Sequence, residues 1–421
     1  MNAAPMGRMG PIAGWITPIL LLFGLIYNVS FKAAPSLSTG RVVILVLLWY
    51  SRDRWNALLS VFLAKYRWQA GMFVAVLVYS VLACLSGGMM DTIQVSRQFH
   101  FILYSCLGAV LFAPVVQWDR ERFIRCFALV AGIQATAIIY SFFSFEYREW
   151  LASIVVSGGN MELTVGLRPP GFTNSTGANL SVIQSLGVFA SLWAGTRDKG
   201  MGEALFFNLF AFIIALSAML TGRTGLLLSG VFCAVFCLKT LRQSRFGFSL
   251  GVLALVSILL LQGGNLVTLL SDMEIGSMPD IEKFMDWAFE FFVAKDETAS
   301  VKHLGSMPIP ALTWETLVGT GLVEVDGIQA AKNDSGYVQN YYSLGLLMAS
   351  VFYLALAWML AGFFERESEK ILLAVLCLGL FTIEMKEPFI LKYIYVFFLL
   401  AFNRLNPRIV DSAASHRGGN V

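Results

Sequence analysis

The feature that most constrains this chain is a series of apolar runs, each long enough to cross a bilayer. About twelve runs reach the roughly 20 residues that a spanning helix needs. They begin near Pro11, Arg41, Ala70, Gln98, Arg122, Gly177, Glu203, Thr224, Phe246, Gly336, Lys370 and Pro388. Of the 421 residues, 57% are hydrophobic and 14% are charged, and the mean hydropathy is +0.70, which excludes a soluble globular domain. The sequence predicts an all-α polytopic integral membrane protein, with residues 1–421 forming one transmembrane domain of about 12 helices.

Basic residues predict the orientation, because short loops rich in Lys and Arg stay in the cytoplasm. They occupy alternate loops, at Arg52, Arg54, Lys65 and Arg67, at Arg120, Arg122 and Arg125, at Arg197 and Lys199, at Lys239, Arg242 and Arg245, at Arg366 and Lys370, and at Arg404 and Arg408. Both termini are therefore predicted to be cytoplasmic. The first ten residues lead into an apolar run without a cleavage site, which indicates an uncleaved first span.

Two long connections fall on the opposite, outer side, over residues 145–176 and residues 263–335. Loops of this length are usually functional or disordered. Within the larger loop, residues 279–292 place apolar side chains at helical spacing, which predicts an amphipathic helix at the interface or over a cavity. The tail, residues 406–421, is predicted to be a disordered cytoplasmic segment.

The residue patterns of metal and nucleotide sites do not occur. The six cysteines lie in or beside apolar runs, as buried small hydrophobic residues do. None of the three histidines has a neighbour at metal-ligand spacing, and there is no phosphate-binding loop motif. We therefore expect no cofactor, no metal and no nucleic-acid partner.

Arg223 lies in Leu220-Thr-Gly-Arg-Thr-Gly, between two apolar runs and without an acidic neighbour in sequence. An arginine at a membrane boundary is a candidate anion-binding group. The alternative is an arginine that reaches to the lipid headgroups. The flanking residues favour the anion site, because they predict a helix break where irregular backbone needs protein or a wet cavity beside it. The adjacent Thr224 is a candidate substrate-binding residue.

Arg168 lies in Gly166-Leu-Arg-Pro-Pro-Gly, just before the sixth span. Two prolines stiffen the loop, and the polar residues that follow, including Asn174, can bind an oxyanion or cap the next helix. One interpretation is a second guanidinium for a phosphorylated substrate, and the other is a helix-entry turn. Arg168 and Arg223 together would suit a pyrophosphate, because each planar guanidinium donates two charge-assisted hydrogen bonds.

Asp334 lies at the mouth of the tenth span, in Asn333-Asp-Ser-Gly-Tyr. It is a candidate general base for a sugar hydroxyl, and the alternative is a helix N-cap. Tyr337 and Tyr341 follow one turn apart and could form a sugar platform, although aromatic residues are common at membrane interfaces.

A charged stretch separates the last two predicted spans. Lys386 and Lys392 could add positive potential to the same cavity. Alternatively, Glu384, Lys386 and Glu387 form only a solvated turn.

The order of these features resembles the O-antigen polymerases of the Wzy type, and the related O-antigen ligases share the layout. The resemblance rests on the arginine of the glycine-proline loop, Leu220-Thr-Gly-Arg-Thr-Gly, Gly319-Thr-Gly321 in the large loop, and Asn333-Asp-Ser-Gly-Tyr. The motifs fall within residues 160–350, and the topology covers the whole chain.

The resemblance implies a GT-C-like glycosyltransferase of the bacterial inner membrane, with its active site facing the periplasm. It implies that Arg168 and Arg223 hold the pyrophosphate of an undecaprenyl-pyrophosphate-linked glycan and stabilise the charge that develops there. It also implies partners: a lipid-linked oligosaccharide as donor and as acceptor, membrane lipid, and a chain-length regulator protein. Neither a nucleotide sugar nor a metal is implied.

Asp334 favours a polymerase over a ligase. The ligases carry a histidine at this position, where it is thought to activate the acceptor, whereas this chain has Asp334-Ser335. The base stays open, since Glu162 or Glu324 could serve instead of Asp334. A flippase or transporter for the same lipid-linked sugar is a third reading, but repeated halves and midplane charges, which such folds show, are not evident in the sequence.

Overall fold

The computed structural model describes residues 13–86, 91–156, 171–173, 177–197, 201–242, 306–325, 327–364 and 369–404. The chain divides into two compact units. The first comprises Met1–Val46 and Glu121–Ala294, and the second comprises Leu47–Arg120 and Lys295–Val421.

The described residues are mostly helical. In chain order the helices and strands are α1 (Ala13–Tyr27), β1 (Ser30–Phe31), β2 (Ala34–Ser38), α2 (Thr39–Tyr50), α3 (Trp55–Ser86), α4 (Ile93–His100), α5 (Gly108–Phe112), α6 (Arg120–Phe143), α7 (Phe145–Ile154), α8 (Ala178–Arg197), α9 (Met201–Thr221), α10 (Arg223–Arg242), α11 (Trp314–Val318), β3 (Glu324–Val325), β4 (Ile328–Gln329), α12 (Gly336–Phe364), α13 (Lys370–Glu384) and α14 (Ile394–Arg404). A π-helical stretch, Phe101–Leu107, joins α4 to α5, and short 3-10 turns precede α3 and α14.

Six helices within the described residues are long and apolar enough to cross a membrane. They are Phe62–Leu85, Ile93–Phe112, Arg120–Phe143, Gly202–Thr221, Arg223–Leu241 and Gly336–Phe364. Three shorter helices, at Gly14–Tyr27, Thr39–Tyr50 and Ile394–Asn403, are also apolar. This helical architecture agrees with the predicted class of membrane protein. The predicted run near Phe246, the amphipathic segment 279–292 and the tail 406–421 lie outside the described residues.

In the first unit, α8 packs against both α9 and α10. The connection predicted over residues 145–176 contains a helix that the sequence did not predict, α7, whose first turn is capped by the Ser144 hydroxyl. After α7, the backbone joins the β1–β2 hairpin. Lys32 donates its N–H to the Ile154 carbonyl at 2.8 Å, and Phe31 forms a β-bridge with Val155. The start of the predicted outer loop is therefore fixed to the hairpin that follows α1.

In the second unit, α12 is interrupted at Gly345, which has φ 78° and ψ 159°. The segment after α11 fills the interruption, because Thr320 and Gly321 donate their backbone N–H groups to the carbonyls of Tyr342 and Ser343 at 3.0 and 2.9 Å. A break within a candidate span needs such partners, since the freed carbonyls would otherwise be unsatisfied. The end of the large predicted loop is thus part of the helical core, in contact with α12.

Candidate functional site

Arg223 is the first residue of α10. As the sequence predicted, Leu220-Thr-Gly-Arg-Thr-Gly interrupts the helix: α9 ends at Thr221, α10 begins at Arg223, and only Gly222 between them is non-helical. Arg223 and Thr224 are both half-buried. The sequence therefore places a guanidinium at the N-terminus of a 20-residue helix.

This position opposes the stability of α10. The N-terminus of a helix carries partial positive charge, so a cation there is unfavourable by about 0.3–1 kcal/mol, whereas an anion is favourable. No acidic residue lies in the first turn of α10. Arg223 and the helix N-terminus attract an anion together. The macrodipole of α10 therefore does not explain a cation at position 223.

The start of α10 is held tightly against α8. The Ser181 hydroxyl on α8 accepts a hydrogen bond of 3.1 Å from the N–H of Gly225. A β-carbon on Gly222 would lie 2.8 Å from that hydroxyl oxygen and 3.3 Å from the backbone of Gly177, the residue that directly follows the predicted outer loop. Glycine at positions 222 and 225 thus lets the Arg223 segment meet the end of that loop.

The other described piece of the outer loop, residues 171–173, is also fixed. Phe172 donates its N–H to the Gln134 side chain at 3.1 Å, and Thr173 donates its hydroxyl to the Tyr27 carbonyl at 3.0 Å. Gln184 on α8 donates to the Tyr27 hydroxyl at 3.1 Å. The chain that follows the proline pair is therefore anchored to α6 through Gln134 and to the end of α1 through Tyr27.

Three of the candidate residues lie outside the described residues. They are Arg168, Asn174 and Glu162. The pairing of Arg168 with Arg223 on one pyrophosphate accordingly stays a prediction.

Asp334 precedes α12 in the second unit and is half-buried. Its backbone carbonyl accepts a hydrogen bond of 3.0 Å from the Gln339 side chain. The local turn is made by Asn333, whose side chain accepts from the N–H of Ser335 at 2.9 Å. Within the described part of the chain, no hydrogen bond or ion pair reaches the Asp334 carboxylate. The carboxylate is thus not used as a helix cap here.

The start of α12 packs against the turn that follows α13. A β-carbon on Gly336 would overlap the Glu384 carboxylate and lie 2.7 Å from the Cα of Pro388. Two stretches that the sequence analysis assigned to one cavity, 333–341 and 384–392, therefore meet. Glycine is required at position 336 because no side chain fits between them.

Glu384 is fully buried, with an exposed fraction of 0%. Its carboxylate accepts hydrogen bonds from the Tyr353 hydroxyl at 2.9 Å and from the Ile390 N–H at 2.8 Å. Asn340 on α12 lies at 3.5 Å and also donates to Tyr353 at 2.8 Å. The interpretation of this stretch as a solvated turn is therefore wrong for Glu384, whose buried carboxylate joins the end of α13 to α12 and to the 3-10 turn at Ile390.

The two tyrosines of α12 have different partners. Tyr337 donates its hydroxyl to the Phe381 carbonyl on α13 at 3.0 Å. Tyr341 lies 3.0 Å from the Thr316 hydroxyl and donates to the Ala311 carbonyl at 3.3 Å. Their hydroxyls thus attach α12 to α13 and to the end of the large loop, respectively, while both rings stay partly accessible.

Lys392 forms an ion pair of 2.6 Å with Glu387 and lies over the Phe389 ring at 4.6 Å. Its charge is therefore largely balanced by its own turn, which weakens its expected contribution to a phosphate site. Lys386 is half-buried in the same turn. Glu324, the alternative base of the large loop, is exposed on β3.

The sequence analysis did not identify Arg97, on α4. Its Nη1 donates to the Gln339 side chain at 3.0 Å, and the same side chain donates to the Asp334 carbonyl. The sequence signal for Arg97 is its place between Gln94 and Gln98, at the start of the apolar run that begins near Gln98. The Gln339 amide thus links the Arg97 guanidinium to the backbone carbonyl of Asp334.

Among the described residues, no group of three or more His, Cys, Asp and Glu side chains is placed to hold a metal ion. No protein-family model, curated protein or solved structure matches this chain.

Proposed function

We propose that this protein is a polysaccharide polymerase of the bacterial inner membrane. It transfers an undecaprenyl-pyrophosphate-linked glycan onto an undecaprenyl-pyrophosphate-linked repeat unit at the periplasmic face. The proposal includes about twelve spans with both termini in the cytoplasm and a metal-independent reaction.

The observation that carries the proposal is Arg223 at the N-terminus of α10, beside the end of the outer loop at Gly177. A helix N-terminus and a guanidinium in the same place suit a phosphate oxyanion. In a lipid-linked glycan, the pyrophosphate is the group that carries such phosphate oxyanions. Arg168, nine positions before Gly177, is the second arginine in this proposal.

Asp334 supplies the base. Its carboxylate, with no hydrogen bond from the described residues, is available to accept a proton. The acceptor hydroxyl attacks the anomeric carbon of the donor, and its proton passes to Asp334. The bond between that carbon and the pyrophosphate oxygen breaks, and Arg168 and Arg223 stabilise the negative charge left on undecaprenyl pyrophosphate.

The direct test is reconstitution of the purified protein in liposomes with one lipid-linked repeat unit and no other component. The proposal predicts a ladder of lipid-linked products of two and more repeats. Movement of the repeat unit across the bilayer without any extension would identify a flippase instead.

An O-antigen ligase is the second candidate, because it shares the arginines of the donor site and differs in acceptor. A deletion strain separates the two functions. Loss of a polymerase leaves lipid A-core capped with a single repeat. Loss of a ligase leaves uncapped core together with accumulated lipid-linked polymer.

A further inference from the structure

Arg97 is a charged residue inside a candidate membrane span, Ile93–Phe112. Ionisable groups at such positions are costly and usually serve a ligand or a partner. Two glutamines on the same face of α4 accompany Arg97. Gln94 and Gln98 are 1% and 0% exposed, and Gln94 Oε1 and both polar atoms of Gln98 have no partner within the described residues. The face of α4 that carries Arg97 is therefore polar and incompletely satisfied.

The Arg97 guanidinium is only partly used. Nη1 donates to Gln339, whereas Nε and Nη2 have no partner in the described chain. Arg97 is itself half-buried and not fully enclosed. These two nitrogens can donate to a molecule that enters from outside the fold.

The acidic residues around Arg97 do not pair with it. Asp91, Glu324 and Glu384 are the carboxylates that act on its charge, and none lies within 4.0 Å. Asp91 accepts from the N–H groups of Ile93, Val323 and Glu324. Glu384 is bound to Tyr353 and Ile390, and Glu324 is exposed. The Asp91 and Glu384 carboxylates are thus hydrogen-bonded to other donors, and Glu324 is exposed to solvent.

We propose that Arg97 forms an oxyanion site for the phosphate of a membrane lipid, and that its ligand is the acceptor's polyprenyl phosphate group. The assignment to the acceptor rests on the proposed function. Gln339 joins Arg97 to the backbone carbonyl of Asp334, so a lipid phosphate on Arg97 would bring the acceptor to the segment that carries the base. Donor and acceptor phosphates then have separate guanidinium groups, Arg223 in the first unit and Arg97 in the second.

The test is native mass spectrometry of the full-length protein with undecaprenyl phosphate as the probe, which counts bound lipids without requiring activity. The wild type is expected to hold two molecules, and Arg97→Gln only one. Arg97→Lys keeps the charge, so it should bind the second lipid about tenfold more weakly, the loss of about one charge-assisted hydrogen bond. Arg52→Gln is the matched control, since Arg52 is an exposed arginine of the same unit.

The outcomes separate the two proposals. Arg97→Gln with wild-type stoichiometry overturns the Arg97 site. Loss of one lipid in Arg97→Gln, with no loss in Arg223→Gln, supports the Arg97 site and contradicts the donor site of the proposed function. Undecaprenol, which lacks the phosphate, should not occupy either site. Phosphatidylglycerol that displaces the probe from the Arg97 site at equal concentration overturns the assignment to the acceptor.

Discussion

The Ser181 hydroxyl on α8 accepts a hydrogen bond of 3.1 Å from the N–H of Gly225, in the first turn of α10. A β-carbon at position 225 would overlap the Ser181 backbone carbonyl. The contact holds Arg223, two residues earlier, against the end of the outer loop. The backbone at the start of α10, which carries Arg223, is therefore fixed by a close approach of two helices.

Gly225→Ala should push the start of α10 away from α8. The overlap is with backbone, which cannot move aside easily, so we expect a loss of about 1–3 kcal/mol in the free energy of unfolding. Gly230→Ala in the same helix is the control, because a β-carbon there meets nothing within 4 Å. Thermal unfolding in detergent measures both. Equal melting temperatures for the two variants would contradict the close approach.

Gly345→Ala should disrupt the interruption of α12. The residue has φ 78°, where alanine is strained, and its β-carbon would overlap Val318 of the inserted segment. We expect the segment Val318–Gly321 to lose its place on α12, with a drop in melting temperature and new proteolytic cleavage near residue 320. Gly362→Ala, later in the same helix and without a neighbour within 4 Å, should show neither change. Wild-type protease resistance in Gly345→Ala would refute this account of the break.

Glu384→Leu should destabilise the packing of the C-terminal end of α13 against α12. The buried Tyr353 hydroxyl and the Ile390 N–H would lose their acceptor, at a cost of about 1–3 kcal/mol for each unsatisfied group. Glu387→Gln breaks only the half-exposed pair with Lys392 and should cost about 0–1 kcal/mol. Chemical or thermal unfolding compares the two variants. The interpretation fails if Glu387→Gln is the more destabilising change.

Asp334→Asn should abolish chain extension without unfolding the protein. Asparagine keeps the shape and the backbone hydrogen bonds but cannot accept the proton, so the rate should fall about 10²–10⁴-fold. Glu324→Gln tests the rival base on β3 and should extend chains at the wild-type rate. Product ladders from liposomes measure both variants. An inactive Glu324→Gln variant together with an active Asp334→Asn variant would assign the base to Glu324.

Much of the helical architecture could be predicted from the sequence, because an apolar run of sufficient length requires a helix in a bilayer. The break at Gly222 was also predictable, since Thr-Gly-Arg-Thr-Gly places glycine and a charge between two apolar runs. Such local signals depend only on neighbouring residues. Predictions from these signals therefore do not require knowledge of the fold.

The burial of Glu384, the interruption at Gly345 and the contact of Arg97 with Gln339 were not predictable. Each depends on a partner far away in sequence: Gln339 is 242 residues from Arg97. Glu384 lies beside Lys386 and Glu387 in a charged stretch, and such a stretch by itself indicates a solvated turn. Only the fold shows that its carboxylate points to Tyr353 while its neighbours remain accessible.

The most direct test of the central claim is chain extension in cells that carry Arg168→Ala or Arg223→Ala. The account predicts that each variant inserts into the membrane at the wild-type level and loses long-chain product, with a fall of about 10²–10³-fold or more for removal of one charge-stabilising group. Lys239→Ala, at the other end of α10, should keep wild-type product length. Long-chain product retained in both arginine variants would contradict the account.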